Sequence, residues 1–117
     1  MNKKTGIRYS VNKRKPIYGW GINDADYVVS YAVNGKRKSC QYYEKWVGML
    51  RRAFSEKYKA KNPSYLCVTV CEEWKYFSNF KKWMETQYFD GLELDKDILK
   101  SGNSVYSPET CAFVPLI

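Results

Sequence analysis

Residues 27–33 are dominated by β-branched and aromatic side chains (Tyr27, Val28, Val29, Tyr31, Val33), and Asn34-Gly35 follows directly. Asn-Gly accepts the positive φ angles of a type I′ turn, so the pattern predicts a hairpin returning through Lys36, Arg37, Lys38 and Ser39. A return strand with three consecutive cations either lies along phosphates or guards an exposed edge. Beyond it, with Ser39 as cap, apolar positions 42, 43, 46, 47, 49, 50, 53, 54 and 58 recur at helical spacing and predict a helix over 41–58. A basic loop over 59–64 containing Pro63 leads to a short strand over 65–70. A second helical stretch then places Trp74, Phe77, Phe80, Trp83 and Met84 on one face, the spacing that burial against a sheet requires, with Ser78 as a point of interruption.

Toward the C-terminus, Glu93, Asp95 and Asp97 alternate along a strand predicted over 91–98, and Ser101-Gly102-Asn103 marks a turn. Ser107-Pro108-Glu109-Thr110 reads as a helix start or tight turn, and Cys111 to Pro115 as a last strand. The alternation of helical and strand patterns predicts an α+β fold. It is organised as a basic arm over 1–16, extended or disordered when free, and one domain over 17–117.

Charge changes this picture by dividing the chain. Its 117 residues carry 20 Lys+Arg and 12 Asp+Glu, a net +8. Residues 1–61 hold 15 basic and 4 acidic side chains, and the remainder 5 basic and 8 acidic. The excess in one half points to a polyanion, with Lys13, Arg14, Lys15, Lys36, Arg37, Lys38, Arg51, Arg52, Lys59 and Lys61 as candidate phosphate contacts. Aromatic residues make up 17% of the chain, a composition that fills a small core and also suits stacking on bases.

The chain contains no histidine, which excludes histidine general bases, Ser-His-Asp triads and His-ligated zinc. Four cysteines occur, at 40, 67, 71 and 111. Each is predicted to lie at an element boundary, where segments converge, so they form either a structural four-thiolate Zn²⁺ site or four buried core thiols. No apolar run is long enough for a membrane span and the first residues lack a secretory pattern, so a cytoplasmic location with no membrane partner is expected.

The stretch from Cys40 to Pro115 resembles a family of phage and prophage proteins described as HNH-like endonucleases. The resemblance rests on three motifs. Trp46-Val47-Gly48-Met49-Leu50-Arg51-Arg52 is the first, and Val70-Cys71-Glu72-Glu73-Trp74-Lys75-Tyr76-Phe77-Ser78-Asn79-Phe80 the second. The third runs from Leu94-Asp95-Lys96-Asp97-Ile98 through Gly102-Asn103 to Tyr106-Ser107-Pro108-Glu109-Thr110-Cys111. The resemblance implies a C-terminal unit of the ββα-metal type, with Asp95 as metal carboxylate, Lys96 in the place of the general-base histidine and Asn103 completing the site. A lysine near its reference pKa of about 10.4 is protonated at neutral pH and does not accept the proton of an attacking water. The implied unit is therefore catalytically degenerate, and Glu93, Asp95 and Asp97 serve either in ion pairs with Lys96 and Lys100 or in a one-metal hydrolysis. Relatives often continue past the Phe-Val-Pro segment into a small DNA-binding module, so the sequence is either a fragment or a member that works with its N-terminal half alone.

Three functions follow as expectations: a phage-derived protein that binds double-stranded DNA without cutting it, a small effector that inhibits a host protein, and a metal-dependent endonuclease using Asp95.

Overall fold

The computed structural model describes residues 14–115. Lys13 and the preceding arm positions, with residues 116–117, lie outside the described residues. The fold is α+β, as the pattern predicts.

Its first regular element is the expected hairpin, shorter at its start. Strand β1 (Ser30–Val33) pairs antiparallel with β2 (Lys36–Ser39), setting Ser30 opposite Ser39, Tyr31 opposite Lys38, Ala32 opposite Arg37 and Val33 opposite Lys36. Asn34 and Gly35 take φ of 50° and 77°, the left-handed pair that a type I′ turn demands.

Helix α1 (Gln41–Phe54) buries Trp46, Met49, Leu50 and Ala53 along one stripe. The predicted helix over 41–58 is two helices. Ser55 leaves helical geometry and its hydroxyl accepts from the Tyr58 backbone N–H, so it restarts the chain as α2 (Glu56–Lys61). Cys40, rather than Ser39, occupies the cap position of α1, because the Ser39 hydroxyl is turned across the hairpin to Ser30.

A 3₁₀ turn, Pro63–Tyr65, precedes β3 (Thr69–Val70), so the strand expected over 65–70 shrinks to its last two residues. A second 3₁₀ turn, Glu72–Lys75, carries Trp74 into the core before α3 (Phe77–Met84). The break falls at Tyr76 because a distant segment inserts there. Ile22 donates its N–H to the Lys75 carbonyl and accepts from the Phe77 N–H.

Helix α3 has no cap within its own sequence and takes one from Asp24. That carboxylate accepts from the Ser78 N–H at 2.7 Å and the Ser78 hydroxyl at 2.6 Å, placing negative charge at the positive end of the helix. Asp24→Ala is expected to lower stability by about 1 kcal/mol in a urea titration.

The remaining strands are β4 (Glu93–Asp95), β5 (Val105–Tyr106) and β6 (Ala112–Val114). Strand β4 pairs antiparallel with β6, and β3 pairs parallel with β5, an element the periodicity did not predict. The Ser107-Pro108-Glu109-Thr110 segment is a tight turn, closed by Cys111 N–H on the Ser107 carbonyl, and no helix follows β4 among the described residues. The sheets are therefore three separate pairs around a mostly aromatic core: Trp46, Trp74, Phe77, Phe80 and Tyr106 are nearly fully buried. The Trp46 indole N–H donates to the Trp74 carbonyl at 2.8 Å, and Trp83 stacks on Phe113 at 5.7 Å, tying the helices to β6. Among the described residues no helix is long and apolar enough to cross a membrane.

Candidate nucleic-acid interface

The hairpin carries three consecutive cations, Lys36, Arg37 and Lys38, that all face solvent. Every residue from 31 to 38 is exposed, on both faces of the ribbon. A two-stranded hairpin that covers no apolar face gains little stability by itself, so its basic strand presents charge rather than filling a core. Lys36, Arg37 and Lys38 form no ion pair among the described residues. Tyr31 (50% exposed) and Val33 (41%) lie on the same face as Lys38 and Lys36. Aromatic content alone does not separate Tyr31 from the core rings. The signal that reveals it is the Asn-Gly register, which sets it opposite a lysine.

The other predicted contacts divide sharply. Lys15, Arg51 and Lys61 are exposed, Arg51 lying over the Tyr58 ring at 5.8 Å. Arg14 is instead built into the fold. Its guanidinium donates to the backbone carbonyls of Asn23, Ala25 and Tyr27, three acceptors presented by the loop that leads into β1. Arg52 donates through Nε to the Tyr106 hydroxyl at 2.9 Å, and Lys59 donates to the carbonyls of Leu66 and Val68. These three cations are structural ties.

The HNH-like positions lie near one another around the 95–105 loop, each with at least one side-chain polar atom bonded within that loop. Asp95 Oδ2 accepts from the N–H groups of Asp97 and Ile98 at 2.9 and 2.6 Å, an Asx-type turn at the end of β4. The Asn103 side-chain amide donates to the carbonyls of Lys96 and Val105, closing the loop at its other end. Lys96 pairs with Asp97 at 3.1 Å and lies over the Tyr65 ring at 5.6 Å. Glu93 pairs with Lys45 at 3.6 Å rather than with Lys96 or Lys100. A cleft of about 270 Å³ lies beside this loop, lined by Tyr65, Cys67, Lys96, Asp97 and Asn103 among others. Among the described residues every buried side-chain nitrogen and oxygen has a partner.

The cysteines occupy different surroundings. Cys111 is buried, Cys71 half-buried and Cys67 exposed in the loop before β3, while Cys40 sits 3.2 Å from the Tyr27 hydroxyl. The expectation of four buried thiols is corrected to one, because β3 is too short to carry Cys67 inward. No three His, Cys, Asp or Glu side chains are grouped to hold a metal ion among the described residues, and the four-thiolate set is not gathered in this arrangement.

No family model, curated protein or solved structure matches the chain. The functional reading therefore rests on these side chains. Burial holds the Cys111 thiol up to about 11 and raises Cys71 and Tyr106 as well, the Arg52 guanidinium partly offsetting the shift at Tyr106. These groups stay protonated and uncharged at neutral pH, and none is placed as a nucleophile. What the surface offers is positive charge on a projecting edge.

Proposed function

We propose that the protein binds double-stranded DNA through its basic hairpin, and that the HNH-like C-terminal segment holds the fold together without cutting the duplex. The observation that carries this reading is the ribbon itself, with three consecutive cations on a strand exposed on both faces from residue 31 to 38. Lysine and arginine on such an edge displace counterions from a phosphate backbone, and that release drives association. Exposed Arg51, Lys15 and Lys61 add to the positive field that steers a polyanion toward the molecule. The non-cutting part is supported by the commitments of the HNH-like residues, since Asp95 serves two backbone N–H groups and the Lys96 ammonium is paired with Asp97.

Fluorescence anisotropy with a labelled mixed-sequence duplex at about 50 mM salt tests the binding, which is expected to be tight there and to weaken steeply as salt rises. Absence of binding at low salt overturns it. Plasmid incubated with Mg²⁺ or Mn²⁺ is expected to remain supercoiled. Nicking that disappears in Asp95→Ala would instead establish the endonuclease.

A further inference from the structure

Side chains alternate between the faces of a strand, and cross-strand partners share a face, so the hairpin register divides the ribbon into two unlike surfaces. One face carries Tyr31, Val33, Lys36 and Lys38. The other carries Arg37 among small side chains: Ala32 directly opposite it, and the Ser30–Ser39 pair, whose hydroxyls bond to each other at 3.3 Å. The sequence places three cations in a row, and the register turns the middle one away from its neighbours.

We infer that the ribbon enters the major groove of DNA with the Arg37 face on the base edges, so that Arg37 reads guanine while Lys36 and Lys38 hold the phosphates at the groove rims. This rests on the duplex-binding reading above. Strands lie about 4.8 Å apart, so a two-stranded ribbon fits the undeformed major groove at about 12 Å, whereas the minor groove, about 6 Å across, would have to be widened to admit it. The small residues around Arg37 let the backbone settle toward the groove floor, leaving one long side chain to extend to the bases. The reverse orientation would put Tyr31 and two lysines beneath the ribbon, prop the backbone away from the bases and point Arg37 at solvent.

The chemistry of the three cations agrees with this division. A guanidinium fork matches guanine O6 and N7 with two parallel hydrogen bonds. An ammonium on a flexible stem is a point charge suited to phosphate. In a groove about 8.5 Å deep, lysines on the upper face of a ribbon resting on the floor lie near the level of the rims.

The test uses mixed-sequence duplexes synthesised either with guanine or with 7-deazaguanine throughout, which removes the N7 acceptor and leaves charge and minor groove intact. The wild-type chain is expected to bind the 7-deaza duplex about tenfold more weakly. Arg37→Ala should bind both duplexes equally, at or below the affinity of the wild-type chain for the 7-deaza duplex. Arg37→Lys, which keeps the charge and loses the fork, should also fail to distinguish them. Lys36→Ala and Lys38→Ala should retain the discrimination while weakening both duplexes. All three substituted positions are exposed on the ribbon, so circular dichroism is expected to be unchanged. Equal binding of the two duplexes by the wild-type chain, with Arg37→Ala still weaker on both, would make Arg37 another phosphate contact and overturn the groove assignment while leaving DNA binding standing. Failure of the wild-type chain to bind either duplex would overturn both.

Discussion

Trp46→Ala is expected to remove about 3–5 kcal/mol of stability, the cost of deleting a fully buried aromatic side chain. Domains of this kind are stable by only about 5–15 kcal/mol, so the variant should unfold at a much lower urea concentration than the parent. The reasons lie in what surrounds the ring. Trp46 has no exposed surface, packs on Phe77 with centroids 5.4 Å apart and on Tyr43 at 5.8 Å, and donates its indole N–H to the Trp74 carbonyl. Its loss opens a cavity and strands a buried carbonyl in one step. The fit is tight from the opposite side as well. A Cβ added at Gly21 would lie 2.4 Å from Leu50 Cδ1 and 3.0 Å from the Trp46 ring, so the chain passes there only as glycine. Tyr88→Ala, at a residue 77% exposed, should change stability by less than about 0.5 kcal/mol and serves as the control.

The second large effect is an alkaline loss of stability. Burial raises the Cys111 thiol from its ordinary 9.0 to about 11, against hydrogen bonds from Ser107 N–H and Thr110 that pull the other way. A group whose folded pKa exceeds its unfolded value keeps a proton that the unfolded chain has already released. Its stabilisation is complete below pH 9 and is lost as pH rises toward 11, amounting to about 2–3 kcal/mol for this one thiol. Cys71, Tyr43 and Tyr106 are raised in the same direction, chiefly by burial, and add to the loss at the upper end. Urea titrations at pH 7.5 and 10.5 are expected to show a marked drop in midpoint that is smaller in Cys111→Ala. An equal drop in that variant would assign the effect to the tyrosines and Cys71.

Local chemistry made the hairpin readable in the sequence, because Asn34-Gly35 fixes the turn and the turn fixes the register. The helices were readable as apolar stripes but not in their ends. Tyr58 continues the spacing of the first helix across Ser55, so periodicity alone sees one helix where a serine hydroxyl starts a second. The interruption at Tyr76 depends on Ile22, more than fifty residues earlier, and no local pattern encodes it. Strands β3 and β5 are two residues each, too short for alternation to register, and exist because each completes the other's hydrogen bonds.

The candidate site followed the same division. Positive charge was visible along residues 1–61, but which cations remain available is a long-range matter. Arg14, Arg52 and Lys59 are drawn to carbonyls and a hydroxyl supplied by the fold, whereas the ribbon cations have no such partner among the described residues. The resemblance grouped Asp95, Lys96 and Asn103 as one site, although the pattern put the first two on a strand and the third in a turn, and the structure sets all three around one loop. Their hydrogen bonds to that loop's own backbone could not be read from the spacing.

The central claim is that ribbon lysines bind DNA phosphates, and the salt dependence of duplex affinity tests it most directly. For the Lys36→Ala/Lys38→Ala double variant, the slope of log affinity against log salt should be shallower than that of the parent by about 1.8, the release of two phosphate contacts. At about 0.15 M salt that difference corresponds to a roughly thirtyfold loss of affinity. A double variant with the parent's slope and affinity would place the duplex elsewhere on the molecule and contradict the account.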